Sequence, residues 1–134
     1  MEDIVTKAEN VIKNISRDKY NNILLKTNQI RKFLSAVNVV ANKVDVYKAT
    51  NQDNKLLSEK LVMEIKYLEV MLIYQVGRDN AANARLRPVE DFVKKAKLRE
   101  NLQAIGNSIE KFEEFNRYME ALVAFHKFYG GKDK

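Results

Sequence analysis

One histidine, His126, and no cysteine are all that this 134-residue chain offers in the way of soft metal ligands or strong nucleophiles. The missing thiols exclude disulfides, thiolate catalysis and Cys-based zinc or iron–sulfur sites, and they suit a reducing, cytoplasmic setting. At helical spacing Phe112, Phe115, Met119, Leu122, His126 and Tyr129 fall in one stripe. His126 therefore lies on an apolar face, where a ring nitrogen bonds a carbonyl or a side chain, and it is expected to be structural. Catalysis by one imidazole needs a nucleophile or carboxylate held in register with it, and no motif marks one. Glu113 precedes Arg117 by four residues and reads as a surface ion pair. No glycine-rich phosphate loop, paired-histidine metal signature or calcium-loop spacing occurs. Adjacent acids such as Glu90 and Asp91 diverge on a helix, so no enzyme site, metal or cofactor is expected.

The remaining chemistry is cationic. Lys and Arg number 24 against 18 Asp and Glu, a net charge of +6. Arg85, Arg87, Lys94, Lys95, Lys97 and Arg99 form a dense run diluted only by Glu90 and Asp91. Arg31, Lys32, Lys43 and Lys48 form a second group, with Asp45 the sole acid among them. Cations spaced this way suit a phosphate backbone and read no bases by themselves. The competing account is that lysines flank an apolar stripe because they are solvated and lay their stems along it.

Helices must position these groups. There are four Gly and one Pro, and strand-like alternation with turn dipeptides is absent. A first helix is predicted from Asp3 to about Ile15, then a polar connection over Ser16–Lys26. Thr27 or Asn28 is placed to cap a second helix, whose stripe of Ile30, Phe33, Leu34, Val37, Val40, Ala41, Val44 and Tyr47 is the cleanest in the chain. Thr50–Asn54 breaks it. A third helix runs from near Leu56 to Arg78, with Leu57, Leu61, Ile65, Leu68, Leu72 and Val76 on one face. Met63, Tyr67, Val70, Met71, Ile73 and Tyr74 widen its apolar arc, so it is expected to be covered on more than one side. Asp79–Arg87 reads as either a helical continuation or a loop. Pro88 suits a first helical position, with Glu90 and Asp91 complementing the dipole and Val89, Phe92, Val93 and Ala96 facing inward. A short helix over Arg99–Ile105 ends at Gly106, and Ser108 caps a last one that stops at Gly130–Gly131. Tyr118, Phe125 and Phe128 leave most of that helix apolar, so it is either central or shared with a protein partner. The expected fold is all-α, a compact bundle of five or six helices in one domain over residues 1–134. The acidic, periodic N-terminus is unlike a signal peptide, and no apolar run is long enough to span a bilayer.

The segment Thr27–Leu34, TNQIRKFL, resembles the early helix of the small subunit of the type III-A CRISPR effector complex. So does IKYLEVMLIYQVGR from Ile65 to Arg78, and most specifically FNRYMEALVAFHKFYGGK from Phe115 to Lys132. With Val89–Leu98 these follow one another along the chain in the family's order. Lys26 stands where a Thr is common in that family, and Val76 where an Ala is common before Gly77–Arg78. The resemblance implies a helical, non-catalytic subunit of an antiviral ribonucleoprotein. Its copies would stack along the backbone subunits, facing guide RNA and target RNA, with the chemistry left to the backbone and large subunits. Neighbouring copies of the chain would then be partners, and a membrane would not. By carry-over the matched basic positions are Arg31, Arg78, Arg117 and Lys127. With Lys32, Arg85, Arg87, Lys94, Lys95 and Lys97 they make up the expected nucleic-acid-binding set.

Three other readings stay open. A stand-alone DNA-binding protein would show sequence-dependent duplex binding, although no short helix–tight-turn–helix unit with a polar recognition helix is apparent. A purely structural adaptor would show no salt dependence toward RNA. A metal-dependent nuclease would cut labelled RNA in magnesium.

Overall fold

Each helix begins where a polar group takes over orphan N–H groups or where the backbone is already turned. The computed structural model describes residues 3–134 and contains six α-helices, with no strand among those residues. Asp3 accepts from Thr6 N at 2.6 Å and starts α1, Ile4–Asn14, which buries Ala8 and Ile12. In the connection that follows, Asp18 accepts from the N–H groups of Tyr20 and Asn22, and Asn21 takes a left-handed φ of 66°. Asn tolerates that conformation better than other non-glycine residues. Arg17 and Ile23 pair across this turn.

The second helix does not start on a Thr27 or Asn28 cap. Those residues form a 3₁₀ turn, Thr27–Gln29, and α2, Arg31–Thr50, enters from Ile30 without a side-chain cap. The expected caps are used elsewhere: Thr27 N and Asn28 N donate to the carbonyls of Lys132 and Asp133, strapping the C-terminal tail across the turn. Helix α3 is Glu59–Ala82, displaced from the predicted span at both ends. Leu56 is held in a bridge with Ser108, so the helix waits for Ser58, whose hydroxyl accepts from Leu61 N. Asp79–Arg87 resolves into both alternatives, helix to Ala82 and then a turn. Arg87, left-handed at φ 46°, leads into α4, Pro88–Ala96, with Pro88 at its first position. One residue, Lys97 at φ 54°, separates α4 from α5, Leu98–Ile105. Ser108 accepts from Lys111 N and starts α6, Ile109–Phe128.

Helix α6 packs on α1, α2 and α5, while α3 packs on α2, α4 and α5, so one buried apolar cluster runs through the bundle. Phe33, Phe112, Leu68, Leu72, Leu98 and Leu122 are among its largest fully enclosed side chains. The α2 stripe points inward as predicted; on α6 Tyr118 is buried and Phe125 half-buried, while Phe128 is 77% exposed, so the wide apolar arc of that helix is covered only in part. The expectation for α3 fails. Its inner face is buried, but Met63, Tyr67, Val70, Ile73 and Tyr74 are exposed, because α2, α4 and α5 all approach from one side. His126 is buried, and its Nε2 donates to Leu25 O at 2.8 Å. No helix of the described residues is long and apolar enough to cross a membrane, and no group of three or more potential ligands could hold a metal ion among them.

Candidate nucleic-acid interface

The expected basic residues fall on three parts of the surface. The first is the end of the bundle organised by Asp79, a buried carboxylate at the last turn of α3. Its Oδ1 accepts from Gln29 Nε2 at 2.7 Å and from Asn83 Nδ2 at 2.9 Å, and its Oδ2 accepts from Val89 N at 3.2 Å. These bonds satisfy a carboxylate that burial alone would penalise. They also bring together the start of α2, the end of α3 and the start of α4. Arg31 and Lys32 follow Gln29, Arg78 precedes Asp79, and Arg85 and Arg87 precede Val89, so five cations distant in sequence share one end. Lys127 comes to the same end through the tail and pairs with Asp133 at 3.2 Å.

The second part is a groove of about 760 Å³ between α1, the α4–α5 corner and α6. Lys7, Lys95, Lys97 and Lys111 line it against a single acid, Glu114, with the amides of Asn10, Asn14 and Asn101. Its apolar floor includes Val11, Ile105 and Phe115. Lys95 spans its wall, donating to the free C-terminal carbonyl of Asn14 at 2.6 Å and pairing with Asp91 at 3.0 Å. Asp91 also accepts from Ser16 N at 2.8 Å. Burial pushes the Asp91 carboxyl up, but the Ser16 N–H and Lys95 together outweigh it and hold the pKa below the usual 3.8. The Tyr118 hydroxyl donates to Ala96 O at 2.9 Å, and burial pushes its pKa up to about 12. The left-handed turn at Lys97 aims that side chain off the axis of both helices and into the groove.

Arg117, the third part, is exposed on α6 and does not pair with Glu113, contrary to expectation. Glu113 instead takes Lys48 of α2 at 2.6 Å, since α2 packs on α6 and offers a cation across the interface. Lys43 is likewise occupied, by Glu64 of α3.

Within the basic run the side chains divide. Arg87 and Lys94 both lean on Glu90, at 3.7 and 3.8 Å, and Arg99 is bound by Glu69 at 3.0 Å. Exposed pairs of this kind contribute at most about 1 kcal/mol and open readily to a stronger anion. Arg31, Lys32, Arg78, Arg85, Lys97 and Arg117 have no carboxylate partner among the described residues. Lys7 and Lys111 escaped the sequence reading because neither lies in a basic run. Only helix packing sets them beside Lys95 and Lys97.

Helices α4 and α5 form a tightly turned pair joined by Lys97 alone. Its turn is a single residue, shorter than the three or four of a DNA-binding helix-turn-helix. Arg99 and Gln103 of α5 both bond Glu69 of α3, so this polar face is already engaged inside the chain.

Comparison with known proteins gives consistent matches along the chain. A family model described as Csm2 Type III-A matches residues 1–132. The "CRISPR system Cms protein Csm2" of Streptococcus thermophilus is 39% identical over 132 residues, covering 98% of this chain and 95% of its own. The protein of that name from Mycobacterium tuberculosis (strain CDC 1551 / Oshkosh) is 38% identical over 133 residues, covering 99% and 96%. That of Enterococcus italicus is 33% identical over 107 residues, covering 78% and 68%.

Proposed function

The chain belongs to the Csm2 type III-A family, and from that premise we propose that it is a non-catalytic RNA-binding and assembly subunit of a type III-A CRISPR interference complex. In this reading it holds the target strand along the guide RNA by its phosphates, beside the backbone and large subunits and neighbouring copies of itself. The observation that carries the reading is the groove lined by Lys7, Lys95, Lys97 and Lys111, in which Lys95 is paired with Asp91 and the other three ammonium groups face one lining carboxylate, Glu114. Ammonium groups neutralise phosphates without selecting bases, and each neutralised phosphate releases condensed counterions. The unpaired Arg31, Lys32, Arg78 and Arg85 extend the same chemistry to the Asp79 end, and Arg87, Lys94, Arg117 and Lys127 supply further cations along the surface. Alignment of several copies on one strand multiplies weak contacts into useful affinity.

The test is fluorescence anisotropy of two unrelated single-stranded RNAs over a range of salt. Wild-type protein should bind both alike, with affinity falling as salt rises. Changing Lys7, Lys95, Lys97 and Lys111 together to Gln should weaken both equally and flatten the log–log slope by about 0.7 per lost contact. The set Arg85, Arg87, Lys94, Lys95 and Lys97 to Gln should do likewise, with the helical spectrum unchanged. Unaltered affinity and slope in both variants would refute the reading. A structural adaptor is the second reading, favoured by the carboxylates that already hold Arg87, Lys94, Lys95 and Lys127. It predicts no salt-dependent RNA binding at all.

A further inference from the structure

Helix α3 carries two seams on opposite faces. The inner seam, Leu61, Ile65, Leu68, Leu72, Gln75 and Asp79, is buried in the bundle. Two residues further along, at the same alternation of four and three, runs an outer seam of Met63, Tyr67, Val70, Tyr74, Gly77 and Ala81. Among the described residues nothing covers it: Met63 is 62% exposed, Tyr67 63%, Val70 52% and Tyr74 64%. A helix with one neighbouring layer needs a polar outer face. This one instead repeats a heptad seam through nearly all of its 24 residues, as coiled-coil helices do. A methyl group added at Gly77 would meet nothing within 4 Å, so the glycine is not required by packing inside the chain. Gly77 and Ala81 leave that end of the seam shallow enough for a close helix approach. Tyrosine and methionine are residues that interface centres favour.

The flanks indicate which partner fits. Lys60, Lys66 and Arg78 border the seam with no carboxylate partner among the described residues, and Glu64 beside it is already held by Lys43. The free acid nearby is Glu59, in the first turn. A second copy would add the same surplus of three cations over one acid to the flanks, whereas a helix flanked by acids would neutralise it. We propose that the outer seam of α3 docks a helix of a different protein of the complex, with aliphatic residues along its own seam and Asp or Glu on its flanks. The occupant's side chains pack between Met63, Tyr67, Val70 and Tyr74 while its acids meet Lys60, Lys66 and Arg78. Arg78 thereby stands at the border between the RNA-facing end and the protein-facing seam.

This docking rests on the reading of the chain as a complex subunit, and it is separable from RNA binding. A photo-crosslinking phenylalanine derivative placed at Val70 is carried into the intact complex, purified through another subunit, and irradiated. Peptide mass analysis should place the crosslink on a helical, acid-flanked segment of another subunit. In parallel, Tyr67→Glu with Tyr74→Glu should lower incorporation into the complex roughly tenfold or more. The same variant should keep the wild-type melting profile and RNA salt slope as free protein. Crosslinks to a second copy, to RNA or to nothing above background overturn the proposal, as does normal incorporation of the double variant. If the wild-type chain does not co-purify at all, the subunit reading fails and the docking seam fails with it. A lost RNA salt slope in the wild type would sink the RNA reading alone.

Discussion

Gln29 and Asp79, fifty positions apart, meet side chain to side chain at 2.7 Å, and that bond locks the entry of α2 to the exit of α3. The same carboxylate holds Asn83 and the buried N–H of Val89, so three segments converge on one buried acid. Asp79→Ala should lower the unfolding free energy by at least about 2 kcal/mol, since each donor left unpaired in the interior costs about 1–3 kcal/mol. Urea melts check this. A shift under about 0.5 kcal/mol would mean that water replaces the carboxylate without penalty.

Phe33, Leu72 and Met119 lie mid-stripe on α2, α3 and α6, and all three are buried. Truncating any one to Ala should cost about 2–5 kcal/mol through lost transfer energy and the cavity left behind. Equilibrium unfolding of the three variants measures it, and a near-wild-type midpoint for any of them would contradict its placement.

Gly131 sits against the His126 ring so closely that a methyl group there would overlap the imidazole. Gly131→Ala should therefore destabilise the protein, and the cost should shrink when His126 is also changed to Ala, because the obstacle is gone. A double-mutant cycle reads the coupling directly. Additive effects would show that the two residues do not press on each other. His126→Gln alone should leave RNA affinity unchanged, as befits a side chain bonded to Leu25 O and turned away from solvent.

Lys97 adopts a left-handed backbone that glycine takes without steric cost. Lys97→Gly should leave stability unchanged or raise it by about 1 kcal/mol or less, strain relief offsetting the extra freedom of the unfolded chain. RNA affinity should nevertheless fall, and Lys97→Ala should match that fall while keeping the strain. Thermal melts and anisotropy on the same samples separate the two effects. Undiminished RNA binding in both variants would remove Lys97 from the interface.

Asp91 has a folded-state pKa below 3.8, so its contribution to stability is present above that value and is lost as the pH drops through the folded pKa. The stability gap between wild type and Asp91→Asn should stay level from about pH 7 to about pH 5 and narrow below 3.8. Urea melts across that range test the sign. A gap that widens in acid would mean that the Ser16 N–H and Lys95 do not favour the charged form.

Much of this was determined by the order of residues alone. Three-and-four spacing specified the helices, Pro88, Gly106 and Ser108 marked ends close to where they fall, and an apolar stripe put His126 inside. These are local properties, because periodicity and capping depend on residues within a turn or two. What the sequence left open depended on which helices meet. Helix α3 has two seams of equal spacing, and only the approach of α2, α4 and α5 from one side decided which is core. Glu113 had Arg117 at the right local interval, yet α2 supplied Lys48 instead, a partner 65 positions away. The groove needed Lys7 from α1 and Lys111 from α6 beside Lys95 and Lys97, and neither lies in a basic run. Asp79 opened a stretch that read as either helix or loop, and only the fold closed Gln29 and Val89 around it. Charges and seams act at a few ångströms in space, so their meaning was settled only once the chain had brought distant turns together.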